Sequence, residues 1–220
     1  MKLGEIYGKL VSELQYDIQL NDALPIINRC YEEIAIFSRS IGKTVSMFGL
    51  FPGVEHNLPS ITEGGKLYIP FDVGFGVWDE YNGTNFIKRW PLIYFKDYNM
   101  FKLLNVSYPS FSVNLADKPN KIIIKGVNIA NYERSYTQVY FFVKPPKDAL
   151  VGFEDETIFS EHLNDVFYHY LVVNVADIIV AKEKDPNRIE IIKSIQSSHL
   201  VYLLNEEYLK PYIQIKLGGK

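Results

Sequence analysis

One cysteine, Cys30, stands in 220 residues. That excludes an internal disulfide framework and a cysteine-rich metal site, and it fits synthesis in a reducing compartment. Basic charge is scarce too. The 23 Lys and Arg against 26 Asp and Glu leave a net charge of -3, whereas a protein that grips nucleic acid carries a basic domain or stripe. The opening MKLGEIYGKL has neither the apolar core nor the small-residue cleavage site of a signal peptide, and no lipidation signal appears at either end. There is no internal repeat and no low-complexity run. What is present is a 47% hydrophobic share, enough for an ordered globular chain of one large or two small domains.

The longest apolar stretch runs from Leu163 to Ala181, and between Val166 and Ala181 its plainly polar residues are His169, Asn174 and Asp177. A helix with a wet side needs only one apolar stripe, whereas this segment is apolar nearly all round. It falls short of the roughly 20 consecutive apolar residues of a membrane span, so no membrane partner is expected. The expectation is burial between the chain's own elements and a second copy or partner. Its contact residues would be Val166, Phe167, His169, Tyr170, Val173, Asn174 and Asp177.

Around that segment the texture reads helix, sheet, helix. Lys2 to Leu14 carries Leu3, Ile6, Leu10, Val11 and Leu14 at helical spacing. Asn21 or Asp22 can cap a second helix reaching Ser40, with Pro25 in its first turn and Gly42 as its stop. The pair reads as a helical hairpin over 1–42. Residues 43–150 turn to glycine, proline, aromatics and β-branched runs, the texture of strands and turns. Strands are predicted at Thr44 to Leu50, Lys66 to Phe71, Asn85 to Trp90, Phe111 to Leu115, Lys121 to Lys125 and Tyr136 to Lys144. Turns are predicted at Glu63-Gly64-Gly65, Asn82-Gly83 and Pro119-Asn120, and a helical insert fits Tyr94 to Leu104.

Pro145-Pro146 closes the β region, Thr157 or Ser160 can cap the apolar helix, and Asp185-Pro186 caps and opens a last helix over Asn187 to Leu209. Its face carries Ile189, Ile192, Ile195, His199 and Leu203. The helical pair spans 151–209, and 210–220 reads as an extended tail in which Ile213, Ile215 and Leu217 alternate with polar residues. That tail either adds a strand to a neighbour, or pairs with the chain's own middle sheet or frays. The fold class is α+β: a helical bundle from both chain ends, with an inserted antiparallel β-sandwich or barrel.

Catalytic patterns are sparse. His162, Asp165 and His169 share a helical side and are metal-ligand types, yet the two histidines lie two turns apart, roughly 10 Å of rise. Hydrogen bonding explains them without a metal or cofactor. Gly74-Phe75-Gly76-Val77-Trp78 begins like a nucleotide loop but lacks the third glycine and a clear following helix, so a bulged or turning strand is the expectation. Cys30 lies mid-helix and reads as a small buried hydrophobe. Glu154, Asp155, Glu156 and Glu161 place negative charge before the apolar helix, where its N-terminus favours it. Trp78 and Trp90 offer stacking faces for sugar, or simply core aromatics.

The order of elements carries a resemblance. INRCYEEIAIFSRS at 27–40, KLYIPFD at 66–72, YFFVKPPKDA at 140–149 and the helical pair HLNDVFYHYLVVNVADIIVAKEKDPNRIEIIKSIQSSHLVYLLNEEYL at 162–209 resemble the head-to-tail connector adaptors of tailed bacteriophages, the tail tubular protein A type. Ile69 stands where the family's Tyr-x-Leu-Pro-x-Asp-like segment has leucine, and the long β region with the Lys43 to Ser60 loop departs from the pattern. The resemblance implies a structural, non-enzymatic virion protein of the neck, assembled in the host bacterial cytoplasm. It implies a homo-oligomeric ring, commonly a dodecamer, under the portal protein, with a tail tube or second adaptor ring below. Genomic DNA would pass through the channel without specific binding, past acidic residues such as Asp155, Glu156 or Glu183. The competing readings are a carbohydrate-binding or host-recognition β-module, and an enzyme built around His162 and His169.

Overall fold

The structure, a computed structural model, describes residues 1–81, 85–116, 118–127, 135–211 and 213, without the side chains of 81 and 86–88. The chain is a mixed α/β protein whose described residues form five α-helices and a curled, mixed sheet. It divides into two compact units: Met1–Ile41 together with Pro145–Lys220, and Gly42–Lys144.

The first unit is helical. In α1 (Leu3–Leu14) the buried residues Leu3, Ile6, Leu10 and Leu14 repeat every three or four positions and form one stripe. Its first free amides are satisfied from 150 residues along the chain: Leu3 N–H donates to the Asp155 carbonyl at 2.8 Å and Gly4 N–H to the Phe153 carbonyl at 3.0 Å. This gives the acidic cluster a different role from the one expected. Asp155 accepts from the Val151 and Gly152 amides, each at 2.8 Å, and Glu154 pairs with Lys2 at 2.6 Å. Glu161 alone of the four lies in the first turn of the apolar helix.

Helix α2 spans Leu20–Ser38, so Pro25 lies inside it rather than in its first turn. The helix ends with Arg39 in the left-handed region, not at Gly42, which instead opens a strand beneath the Tyr140 ring. Helix α2 is tied down at Asn28. That side chain donates to the Leu150 carbonyl at 2.8 Å and accepts from the Leu150 amide at 2.9 Å, both buried.

In the second unit, β1 (Gly42–Phe48), β2 (Glu55–Asn57), β3 (Ile61–Glu63), β4 (Lys66–Tyr81), β5 (Phe86–Tyr94), β6 (Ser110–Asn114), β7 (Lys121–Lys125) and β8 (Ser135–Lys144) make one sheet. Its order is β1-β8-β4-β5-β6-β7-β2, with β3 on β4. Strands β5 and β6 run parallel, which departs from the all-antiparallel expectation. A parallel pair needs a crossover, and α3 (Tyr98–Leu103) lies in it. Its last carbonyls are collected by one ammonium: Lys125 Nζ donates to Phe101, Lys102 and Leu104 at 2.6 to 2.9 Å.

Strand β4 continues through the segment that resembled a nucleotide loop. A Cβ on Gly76 would stand 2.8 Å from the Phe111 ring, and one on Gly74 2.6 Å from the Tyr140 ring, so these glycines admit aromatic rings across the strand. The register slips beside them, between Val73 and Phe75. Trp78 is fully buried, which removes it as a sugar-stacking face. The Asn82-Gly83 turn lies outside the described residues.

Candidate functional site

Helix α4 (Glu161–Lys182) starts where Ser160 caps it, accepting from the Leu163 amide. Helix α5 (Pro186–Leu203) starts at Asp185-Pro186, with Asp185 accepting from the Asn187 amide at 3.0 Å. The last helix is shorter than expected; it stops at Leu203, and a 3-10 turn covers Glu207–Leu209. Among the described residues, α4 is the one helix whose length and composition would suffice to cross a membrane, and 67% of its most apolar window is buried inside the protein. Helices α1, α2 and α5 each pack on it.

That packing corrects the expectation for the contact residues. Val166, Phe167, Tyr170, Val173 and Asn174 are buried in the chain's own helical unit, so they present no surface to a second copy. A helix that is apolar all round wants neighbours on several sides, and three helices of the same chain supply them. Asp177 is exposed and His169 half-buried. Ile213 is buried and helical rather than part of a strand, while Ile215 and Leu217 lie outside the described residues.

The polar residues of α4 decide how its neighbours seat. Asp177 accepts from Gln196 Nε2 of α5 at 2.5 Å, and the same amide reaches the Val173 carbonyl at 3.2 Å. Tyr170 donates to Glu33 of α2 at 2.7 Å. Asn174 turns back on its own helix, donating to the Tyr170 carbonyl at 2.9 Å. His169 does the most: its Nδ1 stands 2.7 Å from His199 Nδ1 of α5, and its ring stacks on Tyr202 at 3.7 Å between centroids.

The chain of contacts continues into α1. His199 Nε2 is 2.8 Å from Glu13 Oε1, and Tyr168 donates its hydroxyl to Glu13 Oε2 at 2.5 Å. Lys9 Nζ stands 4.0 Å above the Tyr168 ring. A carboxylate only accepts, so Glu13 fixes the proton on His199 Nε2. One proton is shared along the His169 Nδ1 to His199 Nδ1 contact. Burial pulls the His169 pKa down to about 4, helped by the charges of His199 and Lys9. Burial pushes the Glu13 carboxyl up, but the bonds from Tyr168 and His199 outweigh it and hold the group below its ordinary value. Burial and the Glu13 carboxylate together raise the Tyr168 pKa.

An imidazole held near 4 is a weak base at neutral pH, far from the value near 7 that suits general base work. The cluster therefore ties α1, α4 and α5 together through neutral and ionic hydrogen bonds. His162 points elsewhere, to Glu206 at 3.1 Å, so the imagined set of His162, Asp165 and His169 is not assembled. Among the described residues no three His, Cys, Asp or Glu side chains are grouped to hold an ion. Cys30 is buried in α2. Sequence reading missed Glu13, Tyr168 and Tyr202 as members of this cluster. The available signal was weak: Lys9 and Glu13 one turn apart on α1, and His199 and Tyr202 one turn apart on α5.

Fold and site together describe a mixed α/β chain in which a cluster of polar side chains joins helices α1, α4 and α5. The chain matches no known family model, and no curated protein is similar to it.

Proposed function

We propose that this chain is a structural head-to-tail connector adaptor of a tailed phage, acting as a ring of identical subunits between portal protein and tail. In this reading the helices drawn from both chain ends form the bundle-like body of each subunit, and the β unit is the insert that faces tail or neighbours. Genomic DNA passes through the ring without specific binding, and the mildly acidic balance keeps phosphate affinity low.

One observation carries the proposal: the helical unit exposes apolar side chains on two different elements. On α5, Ile191 (55% exposed) and Val201 (65% exposed) stand on one helical face, about 15 Å apart, with Ser194 and Ser198 between them. On the segment before α4, Val151, Phe153 and Ile158 are each about half exposed. A closed ring uses heterologous contacts, so each subunit must offer two different surfaces. These residues replace those of α4 as the proposed subunit contacts.

Negative-stain imaging of the purified protein, alone and mixed with portal protein, tests the proposal. Rings that form with concentration or on portal are the expected result. A monomer that ignores portal at every concentration would sink it, and saturable glycan binding by that monomer would favour a host-recognition module.

A further inference from the structure

We infer that the open edge of β1 takes an added strand, and that residues 214–218 of a second copy of this chain supply it. Strand β1 ends the sheet order, and among the described residues no strand pairs with its outer side. Its seven residues pair with β8 in unbroken register and contain no proline. Such an edge is a template for another strand unless something covers it. The opposite end of the sheet is guarded: β2 has three residues, and its Glu55 is held by Lys102 at 2.6 Å and by Tyr98 at 2.9 Å.

The direction of the backbone groups follows from one bond. Gly49 N–H donates to the Ser135 carbonyl at 3.0 Å, continuing the β1–β8 register. Antiparallel neighbours alternate between bonded and unbonded pairs, so Lys43, Val45 and Met47 turn their amides and carbonyls to β8. Those of Thr44, Ser46 and Phe48 face the open edge. A groove of about 290 Å³ lies there, walled by residues 43–46 of β1 and by residues 59–63. With a wall on each side it takes one extended segment, not the edge of a second sheet. Lys43, the one charge on β1, is tied to Glu63 of the same groove, so the edge offers backbone hydrogen bonds rather than an ionic contact.

Residues 214–220 lie outside the described ones, and Gln214-Ile215-Lys216-Leu217 alternates polar with apolar. Strand β1 alternates likewise, with Thr44, Ser46 and Phe48 exposed and Val45 and Met47 buried. In register, Ile215 and Leu217 fall on the face of Val45 and Met47, and Gln214 and Lys216 fall on the solvent face.

A fluorescein-labelled peptide of residues 212–220, titrated with the full chain and followed by anisotropy, tests the site. Saturable binding is expected. Thr44→Pro removes one edge amide without touching the β8 bonds and should weaken the peptide about tenfold. Thr44→Ala keeps the amide and should bind like the parent, while Ile215→Asp in the peptide should weaken it about as much as the proline. Thermal melts check that each chain variant is folded. The inference is overturned if the full chain shows no saturable binding, if folded Thr44→Pro binds like the parent, or if the Ile215→Asp peptide binds like the unaltered one. Binding to a chain ending at Ile213 but not to the full chain would place the segment on its own sheet, and that also overturns it. The inference rests on the reading that copies of this chain assemble. The peptide is measured without portal protein and leaves the α5 contact unaltered, so a failure here is distinct from a failure of the ring.

Discussion

His169 of α4 and His199 of α5 meet through their Nδ1 atoms at 2.7 Å, and the burial of His169, with the charge of His199 beside it, makes the helical unit sensitive to acid. The folded His169 titrates near 4 against an ordinary 6.5. As pH falls below 6.5 the unfolded chain takes up a proton that the native state refuses. Stability from this group is therefore complete above 6.5, declines down to about 4, and falls no further below it. His169→Phe keeps a ring on Tyr202 but cannot titrate. Thermal melts from pH 7 to 4 should show a shallower acid decline in the variant, with about 1 kcal/mol lost at neutral pH. Parallel pH curves for both proteins would remove His169 from the account.

Glu13 contributes with a related sign. Its carboxyl is held below the ordinary 4.5, so its stabilisation is present above that value and is lost as pH falls through the lower folded pKa. Glu13→Gln should flatten the stability curve below pH 4.5. It should also free the Tyr168 hydroxyl to ionise more readily, which ultraviolet titration reads directly. An unchanged tyrosine titration would contradict the contact.

Asn28 holds both the amide and the carbonyl of Leu150. Asn28→Ala leaves two buried backbone groups unpaired and should cost about 2–4 kcal/mol in urea unfolding. Asn28→Asp restores only the acceptor and should fall between. Equal stability of parent and alanine variant would mean that the bridge is not formed.

On the sheet, Thr137 is fully buried and its hydroxyl is unbonded. Thr137→Val removes the stranded hydroxyl at nearly constant shape and should be neutral or stabilising by about 1 kcal/mol. A loss above about 1 kcal/mol would reveal a hydrogen bond at that oxygen.

Much of the chain's local structure was legible because its signals are local. Asp185-Pro186 marked the start of α5, Ser160 capped α4, and the Lys121–Lys125 strand has the bounds its β-branched run implied. The bulged strand expected at Gly74 to Trp78 is present, but it joins the run expected to end at Phe71 into one strand, β4, and that continuity shows only once the Phe111 and Tyr140 rings against the two glycines are known. The tie from Glu13 to His199 joins residues 186 positions apart, and no spacing rule reaches that far. Reading α4 as a surface for a second copy failed for a related reason. An apolar circumference says how many sides need covering, and only the tertiary contacts say that α1, α2 and α5 cover them.

The central claim is that α5 presents a subunit contact, and sedimentation velocity of the parent beside an Ile191→Glu, Val201→Glu variant tests it most directly. Both changes are on exposed positions and should alter unfolding stability by no more than about 0.5 kcal/mol each. The account predicts that the parent forms a single large closed species, alone or on added portal protein, while the folded variant stays monomeric under the same conditions. Identical sedimentation of parent and variant, whether as monomer or as ring, would contradict it.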